Sequence, residues 1–380
     1  MNRRAQAAAS VLAIAIFVSL VWLSPAEMKR AQAMPPFAQA YGVPCSLCHT
    51  QVPGLNAYGR YVQRTGYASL DAHVLARALP IWIGENTSYD TQDPAAPHRT
   101  QFGNLAIHAV GAIGNDFTYH FQQWIWQNDQ AGDLDTFWLA YNNLLHRDGH
   151  LFFGKIEAPG PSFFSQWFDL ASFSTPEITV GEHPYQLDAN RWGAKINYIH
   201  GSLDAEAGWL GSGAGWGGTS DFSDDTDKTF QYKLAFASPT SPFEYGAFGS
   251  TGSFPLAEGG TDQYHSIAGY VQRDPLNGIP GVIAIYQSAY DANPGLSLAP
   301  ASSTATTFEF YEPVLDKGLI SAREEWTNDG LGNRLHTGNI DFSYHILPFV
   351  HVYVEDALAQ YNTPEWRYMI WITAPIRNVR

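Results

Sequence analysis

The sequence predicts an all-β fold, a transmembrane antiparallel β-barrel of about sixteen strands that follows a short helical segment. Two compositional features favour this prediction. Charged residues make up only 15% of the 380 residues, whereas aromatic residues reach 14%, which disfavours disorder. No apolar run beyond the N-terminus reaches the roughly 20 residues of a spanning helix. The third observation is a series of long alternating segments, described below.

The N-terminus, residues 1–33, has the pattern of a secretory signal peptide. Arg3 and Arg4 precede an apolar stretch over residues 7–23, and Ala31–Gln32–Ala33 offers a small-residue cleavage site. An uncleaved membrane anchor is the alternative interpretation. Both predict export from the cytoplasm.

The two cysteines of the chain lie in one motif, in which Cys45 and Cys48 are followed directly by His49. This spacing is typical of c-type haem attachment, in which two thiols bind the porphyrin covalently and the histidine ligates its iron. A disulfide, a thioredoxin-like redox pair and half of a zinc site are the alternatives. The zinc interpretation lacks a second ligand pair. We therefore expect one covalent haem c.

The second axial ligand of the iron is less constrained by the sequence. After the signal segment the only methionines are Met34 and Met369, so histidine is the favoured ligand type. The sequence interpretation selects His73 as the sixth ligand, with a vacant or water-bound position as the alternative. The other candidates nearest downstream are His98, His108 and His120.

The predicted haem segment, residues 34–78, is too short to enclose a haem by itself. Residues 53–62 read as a turn followed by a short helix, in which Leu55, Tyr58 and Val62 share one face. The remaining walls of the haem pocket must come from the rest of the chain.

Residues 79–380 form the predicted barrel domain. Their candidate strands have about ten to thirteen residues, a length that suits tilted membrane strands. The predicted strands are 79–89, 101–112, 116–127, 135–145, 149–158, 186–199, 201–211, 228–238, 242–253, 262–272, 281–291, 303–312, 317–328, 334–345, 349–360 and 365–376.

Side chains alternate along these segments. In the fourteenth strand, Ile340 and Phe342 lie on one face, and Asp341, Ser343 and His345 lie on the other. An apolar face toward lipid and a polar face toward the lumen is the pattern of outer-membrane barrels, although soluble sandwiches also alternate.

The two ends of the predicted barrel differ in the length of their connections. The connections after odd-numbered strands are long, up to about 27 residues, and those after even-numbered strands are short. Outer-membrane barrels have short periplasmic turns, so an even strand number places both termini in the periplasm. The longest connection carries Phe163, Phe164, Trp167 and Phe168, and we expect it to fold inward or to pack at the rim.

Four stretches of the N-terminal region carry a resemblance to a known family. They are PFAQAYG at 36–42, CSLCH at 45–49, PGLNAYG at 53–59 and GY at 66–67. Together they resemble outer-membrane cytochrome–porin fusions of the iron-oxidase type, found in iron-oxidising bacteria. Over the barrel the resemblance is architectural only.

The resemblance implies a haem held by Cys45, Cys48 and His49 that carries electrons across the outer membrane. Extracellular Fe(II) is the implied donor, and a periplasmic c-type cytochrome or another electron carrier is the implied acceptor. Whether the chain acts as an Fe(II)-oxidising enzyme is left open. The alternatives are a porin with a haem-bearing plug or redox gate, and a periplasmic electron carrier with a β partner-binding domain.

The predicted location is the bacterial outer membrane, with lipid around the barrel. A formal net charge of −15 excludes a basic nucleic-acid footprint. No GxSxG, HExxH or P-loop motif is present, and we expect no catalytic residues beyond the haem.

Overall fold

A computed structural model describes most of the chain after the N-terminal region. The described residues are 37, 40–52, 54–75, 81–90, 99–127, 130–161, 178–185, 190–211, 228–257, 259–295, 298–315, 317–347, 350–359 and 365–375. The predicted signal segment, His98 and the aromatic residues at 163–168 lie outside them. No helix among the described residues is long and apolar enough to cross a membrane.

Among the described residues that precede the barrel, the elements are short. A 3₁₀ turn at Cys45–Leu47 leads into strand β1 (His49–Gln51), which pairs with β2 (Gly54–Leu55). Two helices follow, α1 (Ala57–Arg64) and α2 (Ala72–Leu75). The predicted short helix is therefore present, displaced by about two residues toward the C-terminus.

The rest of the described chain is almost entirely antiparallel sheet. Sixteen long strands pair in sequence order, and the last pairs with the first. These strands are β3 (Ile81–Asp90), β4 (Arg99–Ile113), β5 (Phe117–Gln127), β7 (Leu134–Leu144), β8 (Gly149–Ile156), β11 (Arg191–His200), β12 (Leu203–Gly211), β13 (Lys228–Ala237), β14 (Phe243–Pro255), β15 (Thr261–Arg273), β16 (Gly281–Asp291), β17 (Ala301–Val314), β18 (Gly318–Asn328), β19 (Arg334–Leu347), β20 (Val350–Ala359) and β21 (Glu365–Pro375).

Three short strands complete the sheet structure. The two-residue β6 (Gln130–Ala131) extends the pairing of β5, and β9 (Ile178–Val180) pairs with β10 (His183–Tyr185) in a separate hairpin. The predicted sixteen-stranded antiparallel fold is confirmed. Predicted strand ends agree within a few residues, except that β11 begins at Arg191 and residues 186–189 are not described.

The alternating faces are also confirmed. On β15, Ile267 and Val271 are 52% and 41% exposed, whereas Ser266 and Gln272 are each 1% exposed. On β19, Ile340 is 54% exposed and Asp341 is 1% exposed. An exposed apolar face around a buried polar interior is the arrangement of a lipid-facing barrel wall.

The two ends of the barrel differ as predicted. One end has tight connections, among them 114–116, 145–148, 201–202 and 315–317, whereas the other has connections that span 157–190 and 212–227. Following the arrangement of outer-membrane barrels, we call these the periplasmic and extracellular ends. The β9–β10 hairpin belongs to the long connection 157–190 and packs against the inner faces of Tyr264 and Ala289, so part of this loop folds inward.

Candidate haem site

The cysteine motif forms a compact turn. The Cys48 amide donates to the Cys45 carbonyl at 3.1 Å. The two cysteines form no disulfide with each other, and Cys45 is buried next to Val52. Burial raises the pKa of the Cys48 thiol to about 11, and electrostatic repulsion from Cys45 makes a smaller contribution in the same direction. A thiol with so high a pKa is unlike the activated thiolate of a thioredoxin-like pair.

Asn56 fixes the motif against helix α1. Its side-chain oxygen caps the helix by accepting from the Gly59 amide at 3.0 Å, and its side-chain nitrogen donates to the carbonyls of Ser46 and Leu47. The Asn56 amide donates to the Cys48 carbonyl at 2.9 Å. One residue therefore satisfies both the helix N-terminus and the turn that carries the two thiols.

Gly59 is required by the same packing. A Cβ atom at this position would lie 2.0 Å from the Cys48 carbonyl oxygen. Only a glycine lets the helix approach the motif this closely.

The strand after the motif lies against the barrel wall. Gln51 on β1 donates to the Ser343 hydroxyl at 3.1 Å and to the Lys317 carbonyl at 3.3 Å. Ser343 belongs to β19, near its periplasmic end, and Lys317 to the tight turn before β18. The motif is therefore inside the periplasmic end of the barrel, and His49 is 8% exposed.

His345 is the barrel histidine beside this motif. Its imidazole interacts electrostatically with His49 and lies at the Val52 backbone. It is 3% exposed, and neither ring nitrogen makes a hydrogen bond of normal geometry with a described residue. The ring of His351 packs against it with centroids 3.8 Å apart, while the His351 Nδ1 pairs with the Tyr353 hydroxyl at 2.9 Å.

These residues fit a c-type haem. Two cysteines three positions apart with a buried histidine directly after them match the attachment motif of a c-type haem, and the buried imidazoles of His49 and His345 are of the ligand type that a six-coordinate haem iron uses.

The candidate sixth ligands named from the sequence, among which His73 was selected, make other contacts. His73 is exposed on α2, and its backbone nitrogen donates to the Asp71 carboxylate. His108 stacks on Trp82 at 4.6 Å. His120 contacts the Tyr67 hydroxyl at 3.3 Å and lies 3.4 Å from Glu157. The sequence interpretation identified His345 only as a polar lumen residue, because nothing local distinguishes it from the other inward-facing side chains of β19.

The described residues 40–75 occupy the periplasmic end of the barrel, and we call them the lumen plug. An ion network joins helix α1 to the wall. Arg60 pairs with Glu244 at 3.0 Å and with Asp274 at 2.8 Å. Arg64 pairs with Glu244 at 2.8 Å and with Asp204 at 3.3 Å. Because these groups are buried and mutually paired, the network holds the plug in one position.

Apolar packing supports the same placement. Val62, Tyr67 and Leu75 of the lumen plug belong to one buried cluster with wall residues that include Trp138 and Phe152. The rings of Tyr67 and Trp138 are 5.3 Å apart. The plug is therefore bound to the wall by both an apolar cluster and an ion network.

No known sequence family and no curated protein matches this chain. Solved structures do match. An anion-selective porin from Comamonas acidovorans shares 11% identity with a TM-score of 0.54, over 77% of this chain and 98% of the porin. The DcaP channel of Acinetobacter baumannii shares 10% identity at a TM-score of 0.50, over 77% and 95%. OmpF of Salmonella typhi shares 12% identity at a TM-score of 0.50, over 78% and 97%.

The fold is that of bacterial outer-membrane porins. At these identities the likeness concerns the fold alone, and it agrees with the exposed apolar belt and the buried polar lumen described above. The porin-like barrel and the outer-membrane location expected from the sequence are supported.

Proposed function

We propose that this chain is an outer-membrane electron-transfer protein in which Cys45, Cys48 and His49 hold one haem c inside the periplasmic end of a porin-like barrel. The observation that carries the proposal is the burial of the Cys45–His49 motif at the barrel wall, where the buried His49 and His345 side chains are close enough to interact electrostatically. A haem supplies one-electron chemistry when its iron alternates between Fe(III) and Fe(II).

The residues of the chain would set how that chemistry proceeds. Asn56 and Gly59 fix the attachment turn, and Gln51 fixes the strand that carries His49. His345 is the sixth ligand in this proposal, in place of His73. Two histidine ligands and a buried site control the reduction potential through ligand type and solvent access.

The position of the lumen plug suits electron transfer between the two sides of the outer membrane. A haem at the periplasmic end is close to acceptors in the periplasm, and the long connections lie at the opposite, extracellular end. Extracellular Fe(II) is the proposed donor and a periplasmic c-type cytochrome the proposed acceptor. The net charge of −15 is consistent with attraction of a metal cation.

The deciding experiment mixes the purified, haem-loaded protein anaerobically with Fe(II) and follows the haem absorption bands. Conversion of the oxidised to the reduced spectrum is expected. A protein that dithionite reduces but Fe(II) does not would contradict Fe(II) as donor and leave electron transfer intact. A protein whose isolated form carries no covalent haem would contradict the whole proposal.

A porin with a haem-bearing plug or gate is the second candidate. It is favoured by the porin fold and by the polar inward-facing side chains, among them Ser303, Thr307 and Glu309, whose full burial corresponds to a closed rather than an open lumen. Ion conductance in planar bilayers that changes on haem reduction would support the gate. A conductance close to zero in both redox states would favour the conduit.

A further inference from the structure

A second cluster of metal-ligating groups lies at the extracellular end of the lumen. His183 of hairpin β9–β10, Asp262 at the start of β15 and Asp291 at the end of β16 are all buried, with exposures of 2%, 0% and 0%. One ligand atom of each lies within 4.8 Å of the others. We propose that these three residues bind a divalent transition-metal ion. This site is separate from the haem site and does not rest on the proposed function.

The possible ligand atoms of the cluster lie close together. The His183 Nδ1 is 2.8 Å from Asp291 Oδ1 and 3.4 Å from Asp262 Oδ2. Metal–ligand bonds to imidazole nitrogen and carboxylate oxygen are about 2.0–2.2 Å long. Ligand atoms at these separations therefore reach a common ion after small adjustments.

One oxygen of each carboxylate in the cluster lacks a hydrogen-bond partner among the described residues. The Oδ2 atoms of Asp262 and Asp291 are buried and make no hydrogen bond of normal geometry with a described residue. Each of the other oxygens has a partner, since the Asn293 amide donates to Asp262 and the Tyr185 hydroxyl donates to Asp291, both at 2.8 Å. Two adjacent buried carboxylates repel each other, and one protonated histidine neutralises only one of them. A divalent cation would offset both charges.

The surroundings of the cluster hold the ligands in place. The His183 ring stacks on Phe254 at 4.6 Å and contacts the rings of Tyr185 and Tyr264 at 4.1 and 4.4 Å. The Tyr185 hydroxyl orients the Asp291 carboxylate, which is the role of second-shell groups at metal sites. One nitrogen and two carboxylate donors suit Fe(II), Mn(II), Co(II) and Zn(II).

The β9–β10 hairpin is also anchored from outside the cluster. The Glu182 amide donates to the Pro294 carbonyl at 2.7 Å, and the Glu182 carboxylate accepts from the Ala257 amide at 2.7 Å. These bonds join the hairpin to the connections after β14 and β16. A bound ion would cross-link the inward-folded loop to two barrel strands.

The test titrates Mn(II) into the full-length protein in detergent micelles and measures free Mn(II) by EPR. One ion per chain should bind, and Zn(II) should displace it. Asp262→Asn and Asp291→Asn should each weaken binding by about tenfold or more, because each removes one anionic ligand. The matched control is His265→Ala, since His265 is an exposed residue of the same strand as Asp262 and should leave binding unchanged.

Two further measurements test whether the bound ion occupies this site and whether it binds the folded protein. Cys45→Ser/Cys48→Ser should retain Mn(II) binding, which separates this site from the thiols of the haem motif. Mn(II) and Zn(II) should also raise the melting temperature of the wild-type protein, because an ion that binds only the folded state stabilises it. No bound Mn(II) or Zn(II) at millimolar concentration, or equal affinity in the aspartate variants, would overturn the proposal and leave His183 and the carboxylates as a proton-sharing group.

Discussion

Arg60 on the plug helix α1 and Glu244 on strand β14 form a buried ion pair, with Nε and Oε2 3.0 Å apart. The pair belongs to a larger network, in which Lys233 neutralises Asp204 at 2.9 Å while Arg64 bridges Glu244 and Asp204. Three cations thus match three carboxylates when Asp274 is included. This balance explains how charged groups can be buried between plug and wall.

Removing one member of the network should release the plug. Arg60→Met leaves the negative charges of Glu244 and Asp274 only partly neutralised. We expect the free energy that holds the plug in the barrel to decrease by about 3–5 kcal/mol, the usual cost of removing one partner of a buried ion pair. Proteolysis of residues 40–75 and single-channel conductance should both increase. The control is Arg147→Met, since Arg147 is 66% exposed and lies 3.8 Å from Asp116, so its loss should have little effect. Equal behaviour of the two variants would contradict the anchoring role.

Haem attachment should depend on both cysteines. We expect the wild-type protein to retain haem on a denaturing gel, and Cys45→Ser or Cys48→Ser to retain it less stably because one thioether remains. The double variant should carry no covalent haem. Intact mass and haem staining measure this directly. A wild-type mass equal to that of the polypeptide alone would show that the motif does not attach haem.

His345 should determine the coordination of the haem iron. His345→Ala should convert a six-coordinate low-spin spectrum to a high-spin spectrum, because the sixth ligand is removed. Optical and EPR spectra read this change without any activity assay. His73→Ala is the matched control and should leave the spectrum unchanged, since His73 is exposed on α2. The reverse outcome would restore His73 as the ligand.

Gly59→Ala should destabilise the lumen plug. The added Cβ would lie 2.0 Å from the Cys48 carbonyl oxygen, so the helix or the motif must shift. Overpacking of this kind costs about 1–3 kcal/mol. Thermal unfolding followed through the haem spectrum measures the effect. Gly269→Ala is the control, because nothing lies within 4 Å of its added Cβ.

The extracellular turn 329–333 should open at low pH. Burial opposes ionisation of Asp329, but hydrogen bonds from the Asn333 side chain and from the Leu331 and Asn333 amides outweigh burial and hold its pKa below 3.8. A lowered pKa stabilises the turn above the unfolded value of 3.8, and this contribution disappears as the pH falls through the folded value.

Amide exchange of Leu331 and Asn333 should report that transition. Protection factors should be high at neutral pH and should decrease well below pH 4. Asp329→Asn removes the ionisable group, so the variant should lose most of the pH dependence. Protection that is independent of pH in the wild-type protein would contradict the assignment.

Much of the fold could be predicted from local patterns. Ile340 and Asp341 face opposite sides because side chains alternate along a strand, and the same period locates nearly every strand. Strand ends at β11 were predicted less well, since they fall next to the long connection 157–190. An inward fold of this connection was one of the two arrangements expected. The contacts of His183 with Asp262 and Asp291 were not predicted, because these residues are far apart in the sequence.

The sequence by itself determined the strands, their apolar and polar faces, and the haem motif at Cys45, Cys48 and His49, because each depends on spacing within a few residues. Only the tertiary structure decided that His345 lies beside the segment that carries His49 and that His183 lies next to two aspartates. The register of a barrel is set by hydrogen bonds between neighbouring strands, and the plug position by ion pairs with the wall. Contacts of that kind join residues hundreds of positions apart, and no local pattern encodes them.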